Sequence, residues 1–257
     1  MRGAGTLAFR QGDNDVAEAL FTEGLSLATE LDEQQLRVFG YADLARVALR
    51  RGDYATVRAR SEEGRALAEA AGDRAAERMP VHMLAAAARM EGDLTRAREY
   101  YVQSIEISRE LGLQRNVAGE LHNLGYLELH GGDLEAAGRL FRECLDWAWE
   151  HRDMYILPYS LVDFGVVAAA EGELVRAARL LGAGEGLFEA AGAVPDPDDR
   201  VEFDEAVANV REALDDASFA DAWERGRGLS LEDAVAYATD RPRDQTFGGG
   251  KTRGPAL

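Results

Sequence analysis

This 257-residue sequence has one cysteine, few cationic side chains and no long apolar run. With Cys144 alone, an intrachain disulfide framework and any multi-cysteine zinc site are excluded. Within Leu140-Phe141-Arg142-Glu143-Cys144-Leu145 it reads as a small core residue rather than a reactive thiol. Lysine and arginine number 29 against 47 aspartate and glutamate, a net charge of −18. A field of that sign repels nucleic acid and anionic membranes, so direct DNA binding is disfavoured. No stretch approaches the roughly 20 apolar residues of a membrane span, and the opening MRGAGTLAFRQGD lacks a signal peptide's apolar core. A cytoplasmic protein is expected.

Catalytic motifs are missing as well. His82, His122, His130 and His151 form no HExxH, and there is no GxSxG nucleophile elbow. Carboxylate pairs such as Glu62-Glu63 and Asp198-Asp199 read as solvated faces. Gly250-Lys251-Thr252 resembles the end of a phosphate-binding loop, but Gln245 stands where its first glycine belongs. Neither an apolar strand before it nor a helix after it completes the cradle. Residues 241–257 are therefore expected to be a disordered tail that binds no nucleotide, and no catalytic residue, metal or cofactor is expected.

What is present is a repeat. Gly12-Asp13, Gly52-Asp53, Gly92-Asp93, Gly132-Asp133 and Gly172-Glu173 recur at 40-residue intervals. Five residues beyond each glycine stand Ala17, Val57, Ala97, Ala137 and Ala177, and twelve beyond stand Gly24, Gly64, Ser104, Cys144 and Gly184. Ala45, Ala85, Gly125 and Gly165 precede the later glycines by seven. Columns of small residues in a leucine-rich helical pattern mean close helix contact, where a larger side chain would overpack by about 1–3 kcal/mol. Each unit reads as a helix pair that cannot bury its face alone, so neighbours stack. In the fourth copy Asp133 is placed to cap a helix from Leu134 to about Glu150.

Asn123 to Leu145, NLGYLELHGGDLEAAGRLFRECL, resembles a tetratricopeptide repeat through Leu124, Gly125, Gly132, Ala137 and Phe141. It departs from that pattern at Glu128, where an aromatic is usual, and in its period. The long repeats are similar to those of MalT-like and AfsR-like signalling regulators, and Ala222 to Asp240, AWERGRGLSLEDAVAYATD, resembles the end of this region in LuxR-type regulators. Within it Ser230 and Asp233 form a capping box. The resemblance implies an all-α, right-handed α-solenoid of about five helix pairs over residues 1–192, C-terminal capping helices over 193–240, and a non-enzymatic scaffold acting as the interaction arm of a regulator. Met1 enters the repeat register at the fourth position of a first helix, so a fragment or truncated relative of a larger regulator is expected. A stand-alone protein with a short first helix is the alternative. ATPase or DNA-binding domains of such a regulator are implied partners, alongside a bound protein segment or small inducer. An enzyme with its site in the groove remains a further alternative.

Tetratricopeptide arrays line their groove with the second, fifth, ninth, twelfth and thirteenth positions of each first helix, one stripe of the helical surface. In this register the stripe carries Arg46, Arg50, His82, Arg89, His122, Tyr126, His130 and Tyr159, and no carboxylate. In so acidic a chain that segregation suits an acidic partner, although histidine and tyrosine there could equally pack between helices. Asp43 and Asp163 stand at the neighbouring sixth position.

Overall fold

The computed structural model describes residues 1–240, the side chain of Pro197 excepted. Helices α1 (Arg2–Arg10) and α2 (Asn14–Glu30) make the first hairpin, followed by α3 (Gln34–Arg50) with α4 (Tyr54–Ala71) and α5 (Arg74–Met90) with α6 (Leu94–Glu110). The fourth and fifth hairpins are α7 (Gln114–His130) with α8 (Leu134–Glu150), and α9 (Ile156–Ala170) with α10 (Leu174–Ala191). Three more helices follow: α11 (Pro197–Ala213), α12 (Asp216–Arg227) and α13 (Leu231–Thr239). There is no strand among the described residues. The five hairpins stack into a right-handed α-solenoid of tetratricopeptide-like repeats. The tail 241–257, with its expected disorder and lack of nucleotide binding, lies outside the described residues.

Each Gly-Asp pair makes a hairpin turn in two steps. Gly12, Gly52, Gly92, Gly132 and Gly172 have φ between 72 and 83°, a region that costs other residues roughly 1 kcal/mol. The carboxylates of Asp13, Asp53, Asp93 and Asp133 then accept the backbone N–H groups of Val16, Thr56, Arg96 and Ala136, capping the second helix. Glu173, in the fifth copy, makes no such bond. A second left-handed column links one hairpin to the next, at Asp32, Gly72, Gly112, Arg152 and Gly192, with φ between 51 and 68°.

The small-residue columns lie where helices touch. Ala17, Val57, Ala97, Ala137 and Ala177 are all fully buried. A Cβ on Gly125 would overlap the Phe141 ring, and one on Gly165 would come within 2.8 Å of Leu181.

The three last helices do two different things. Helix α12 crosses α10 so closely that a Cβ on Gly226 would overlap the carbonyl oxygen of Arg179, and one on Gly182 would stand 2.5 Å from that of Trp223. Ser230 accepts the Asp233 N–H at 3.1 Å to start α13, which packs on α9 and α10. Phe203, Val210, Phe219 and Val235 share one apolar core with Leu145, Leu157 and Leu181 of the repeats. Helix α11, by contrast, packs on α9 and α10 and also reaches α3, far back along the chain. No helix among the described residues is long and apolar enough to cross a membrane.

Candidate functional site: an acidic segment across a basic groove

The stretch Val194 to Glu202, entering and opening α11, runs over the concave face and touches the first helix of every repeat. On α1, the Arg10 carbonyl accepts the Val194 N–H at 3.0 Å. On α3, Arg46 pairs with Asp196 at 3.2 Å and lies 4.6 Å from the Phe9 ring centre, while Arg50 donates to the carbonyls of Phe9 and Pro195. On α5, Arg89 pairs with Asp198 at 2.9 Å and Asp199 at 3.2 Å, and donates to Asn123 Oδ1 at 3.2 Å. On α7, His122 Nε2 meets Asp199 at 3.0 Å and His130 Nε2 meets Glu202 at 3.1 Å. Beside and on α9, the Tyr155 hydroxyl donates to Asp196 at 2.6 Å, and the Tyr159 hydroxyl accepts the Asp196 N–H at 3.0 Å.

Asp198 and Asp199 are thus 6% and 8% exposed, not the solvated pair that their sequence suggests. Arg46, Arg50, Arg89, His122, His130 and Tyr159 all contact this segment. His82 is turned elsewhere: its Nδ1 lies 3.0 Å from both oxygens of Glu120, which also accepts from Ser104 at 2.6 Å. Tyr126 is fully buried, edge-on to Phe141 and His122, with the Arg89 guanidinium 5.3 Å from its ring centre.

The electrostatics are those of a buried charge network. Burial works against a charged His122, but Asp163 at 2.8 Å on Nδ1 and Asp199 on Nε2 outweigh it and raise its pKa well above the ordinary value. Both ring nitrogens then donate, so the imidazole has none free to act as a base. Burial, then the nearby Asp199 charge, pushes Asp198 up to about 6. For Asp199 burial pulls the same way, yet His122 and Arg89 outweigh it and hold the carboxyl below the usual range. Cys144 is fully buried, which pushes its thiol up, away from thiolate chemistry. No group of three or more His, Cys, Asp or Glu side chains among the described residues could hold a metal ion.

A cavity of about 390 Å³ remains beside this segment. Its walls are α1, α3, the N-terminal halves of α5, α7 and α9, and the acidic segment itself. The stripe misses four of the arginines that line the cavity, because Arg2 and Arg10 lie on α1 and because Arg78 and Arg115 precede the stripe's first positions on α5 and α7. Also absent from the stripe is the segment that crosses it. Its signal in the sequence is PDPDD, Pro195 to Asp199, directly after the last repeat.

No family model matches the chain, and no curated protein matches it in sequence. Solved structures do resemble it. BtubC (BKLC) from P. vanneervenii is similar with a TM-score of 0.59 at 17% identity, over 95% of this chain and 97% of that one. A Rap protein complexed with Competence and Sporulation Factor is similar with a TM-score of 0.64 at 13% identity, over 93% and 72%. The nearly identical TPR-like repeats of a candidate kinesin light chain from Podosopora anserina give 0.50 at 17%, over 80% and 97%. At these identities the likeness is one of fold, a tetratricopeptide-like solenoid.

Proposed function

We propose that this chain is a cytoplasmic, non-enzymatic interaction scaffold, the sensor or interaction arm of a signalling or transcriptional regulator, whose concave face exchanges its own acidic segment for that of a partner. One observation carries the reading: Val194 to Glu202 lies across all five first helices with its carboxylates on Arg46, Arg89, His122 and His130. That intramolecular contact supports an extended acidic stretch leading into a helix as the kind of ligand this face would take. A fold neighbour solved with a bound factor supports a binding role, and the resemblance of Ala222 to Asp240 to LuxR-type regulators supports a regulatory one, in concert with an ATPase or DNA-binding module.

An internal segment competes at an effective concentration of about millimolar or more. Exchange therefore needs either a better acidic ligand or a weakened internal one. The test is a labelled peptide of residues 193–206 added to the full chain carrying Asp198→Asn and Asp199→Asn. The variant should bind the peptide, wild type should bind it at least about tenfold more weakly, and a scrambled peptide should bind neither. A folded variant that ignores the peptide sinks the exchange reading.

A further inference from the structure

The charges lining the 390 Å³ cavity do not balance. Five carboxylates face it, and each has a partner: Asp43 with Arg2, Glu120 with His82, Asp196 with Arg46, Asp198 with Arg89, and Asp199 with His122 and Arg89. Seven cationic groups line it. Arg2, Arg46, His82 and His122 are committed to those carboxylates, and Arg115 to Asp153. Arg10 and Arg78 have no ion pair among the described residues. Arg10 lies with its guanidinium 4.6 Å from the Tyr155 ring centre, a contact that leaves its N–H donors free. Arg78 is half-buried, its near charge being Glu120, which His82, Ser104 and Asn123 already occupy. A guanidinium drawn out of water without a counter-charge is costly, and burial accordingly lowers its pKa.

We infer that this cavity is a binding site for a small organic or inorganic dianion, whose two acidic groups are taken by Arg78 and Arg10. The volume suits a compact small molecule and not a long peptide, since the acidic segment fills the neighbouring groove. Met79, Met83 and Ile156 also line the cavity and offer apolar wall for a short carbon skeleton. His82, whose Nδ1 meets Glu120, lines the same cavity, and its Nε2 is a donor when the ring is protonated. Because Asp196, Asp198 and Asp199 form another wall, a bound dianion sits against the segment that closes the groove. The site goes beyond peptide exchange: it belongs to the closed state and does not require the segment to leave.

The test uses the full wild-type chain, titrated by calorimetry with glutarate and with pyrophosphate, which separate a dicarboxylate from a phosphate ligand, and with glutaramide as the neutral control. At least one dianion should bind with one-site stoichiometry, and glutaramide should not. Arg78→Gln and Arg10→Gln should each weaken binding by about tenfold or more, the loss of one charge-assisted contact. Arg139→Gln, at an exposed pair with Glu135, should leave it unchanged. Thermal unfolding of each free variant checks that loss of binding is not loss of fold. Failure of both dianions to bind wild type, or equal binding by a folded Arg78→Gln, overturns the inference. Either result leaves the peptide experiment standing, because that one reads the opposite, open state.

Discussion

Arg89→Met is the substitution that weighs the groove network most directly. The side chain is 1% exposed and serves two carboxylates, at 2.9 and 3.2 Å, as well as Asn123. Methionine keeps much of the apolar stem against Tyr126 but leaves Asp198 and Asp199 facing each other, with His122 as their remaining ion-pair partner among the described residues and His82 as a more distant counter-charge. Removing one partner of a buried pair costs about 3–5 kcal/mol, far above the 0–1 kcal/mol of an exposed pair such as Arg139 with Glu135. The chain has an escape that a closed core lacks, because the acidic segment can lift off and rehydrate its carboxylates. The loss is therefore capped by the free energy that holds the segment down. Hydrogen exchange should show the amides of 194–205 opening by about a hundredfold or more, the equivalent of roughly 3 kcal/mol, while those of α6 and α8 keep their protection. Urea unfolding should lose at most the same amount. A variant with stability within about 1 kcal/mol of wild type and unchanged protection over 194–205 would refute the claim that this network holds the segment.

Three further outcomes follow. Relative to the unfolded chain, the native fold holds extra protons on His82, His122 and His130, all with raised pKa values. Their contribution is complete below about pH 6.5 and is lost as pH rises through each folded value, at up to about 1.4 kcal/mol per histidine per pH unit. Urea midpoints should fall between pH 6.5 and 9, less steeply in His122→Gln, and a rise over that window would show the assignment to be wrong. Gly226→Ala, which drives a methyl into the Arg179 carbonyl, should cost about 3 kcal/mol or more and release α12, whereas Gly138→Ala, with open space around it, should gain roughly 0.5–1 kcal/mol. Equal melting temperatures for the two variants would contradict the close crossing. Cys144 should react with a thiol reagent only as fast as the chain unfolds; rapid labelling under native conditions would mean its burial is misread.

The repeat was readable because its constraints fix residue type locally. A left-handed turn asks for glycine, a helix start for aspartate, and a close contact for alanine or glycine, so Gly132-Asp133 and Ala137 are visible in the sequence. The second left-handed column shows where this logic weakens: Asp32 and Arg152 adopt the same φ as Gly72 and Gly112, so identity no longer reports conformation. The basic stripe was readable for the same helical reason that Arg89 and His122 lie on one line of α5 and α7. Its occupant was not. Arg46 meets Asp196 across 150 residues of sequence, a separation set by the sum of small rotations from hairpin to hairpin, which no local pattern encodes. Asp163 shows beside the stripe, but its pairing with His122, like that of Glu120 with His82, does not, since a carboxylate's partner is a matter of neighbouring helices.

Charge balance does offer a route to such an occupant. A stripe of Arg46, Arg50, Arg89, His122 and His130 with no acid on it cannot be buried empty, because several kcal/mol per uncompensated ion would exceed what a marginally stable fold can bear. Either water or an acid must meet it. Water would keep the face open and Arg89 exposed; at 1% exposure that choice is closed, and the acid has to come from somewhere on the molecule. Pro195 to Asp199 is the stretch with the density of carboxylates and the extended entry to supply it. The same balance, carried to the cavity, leaves Arg10 and Arg78 over. What the described residues leave without an ion pair is the part of the concave face left for a ligand to neutralise.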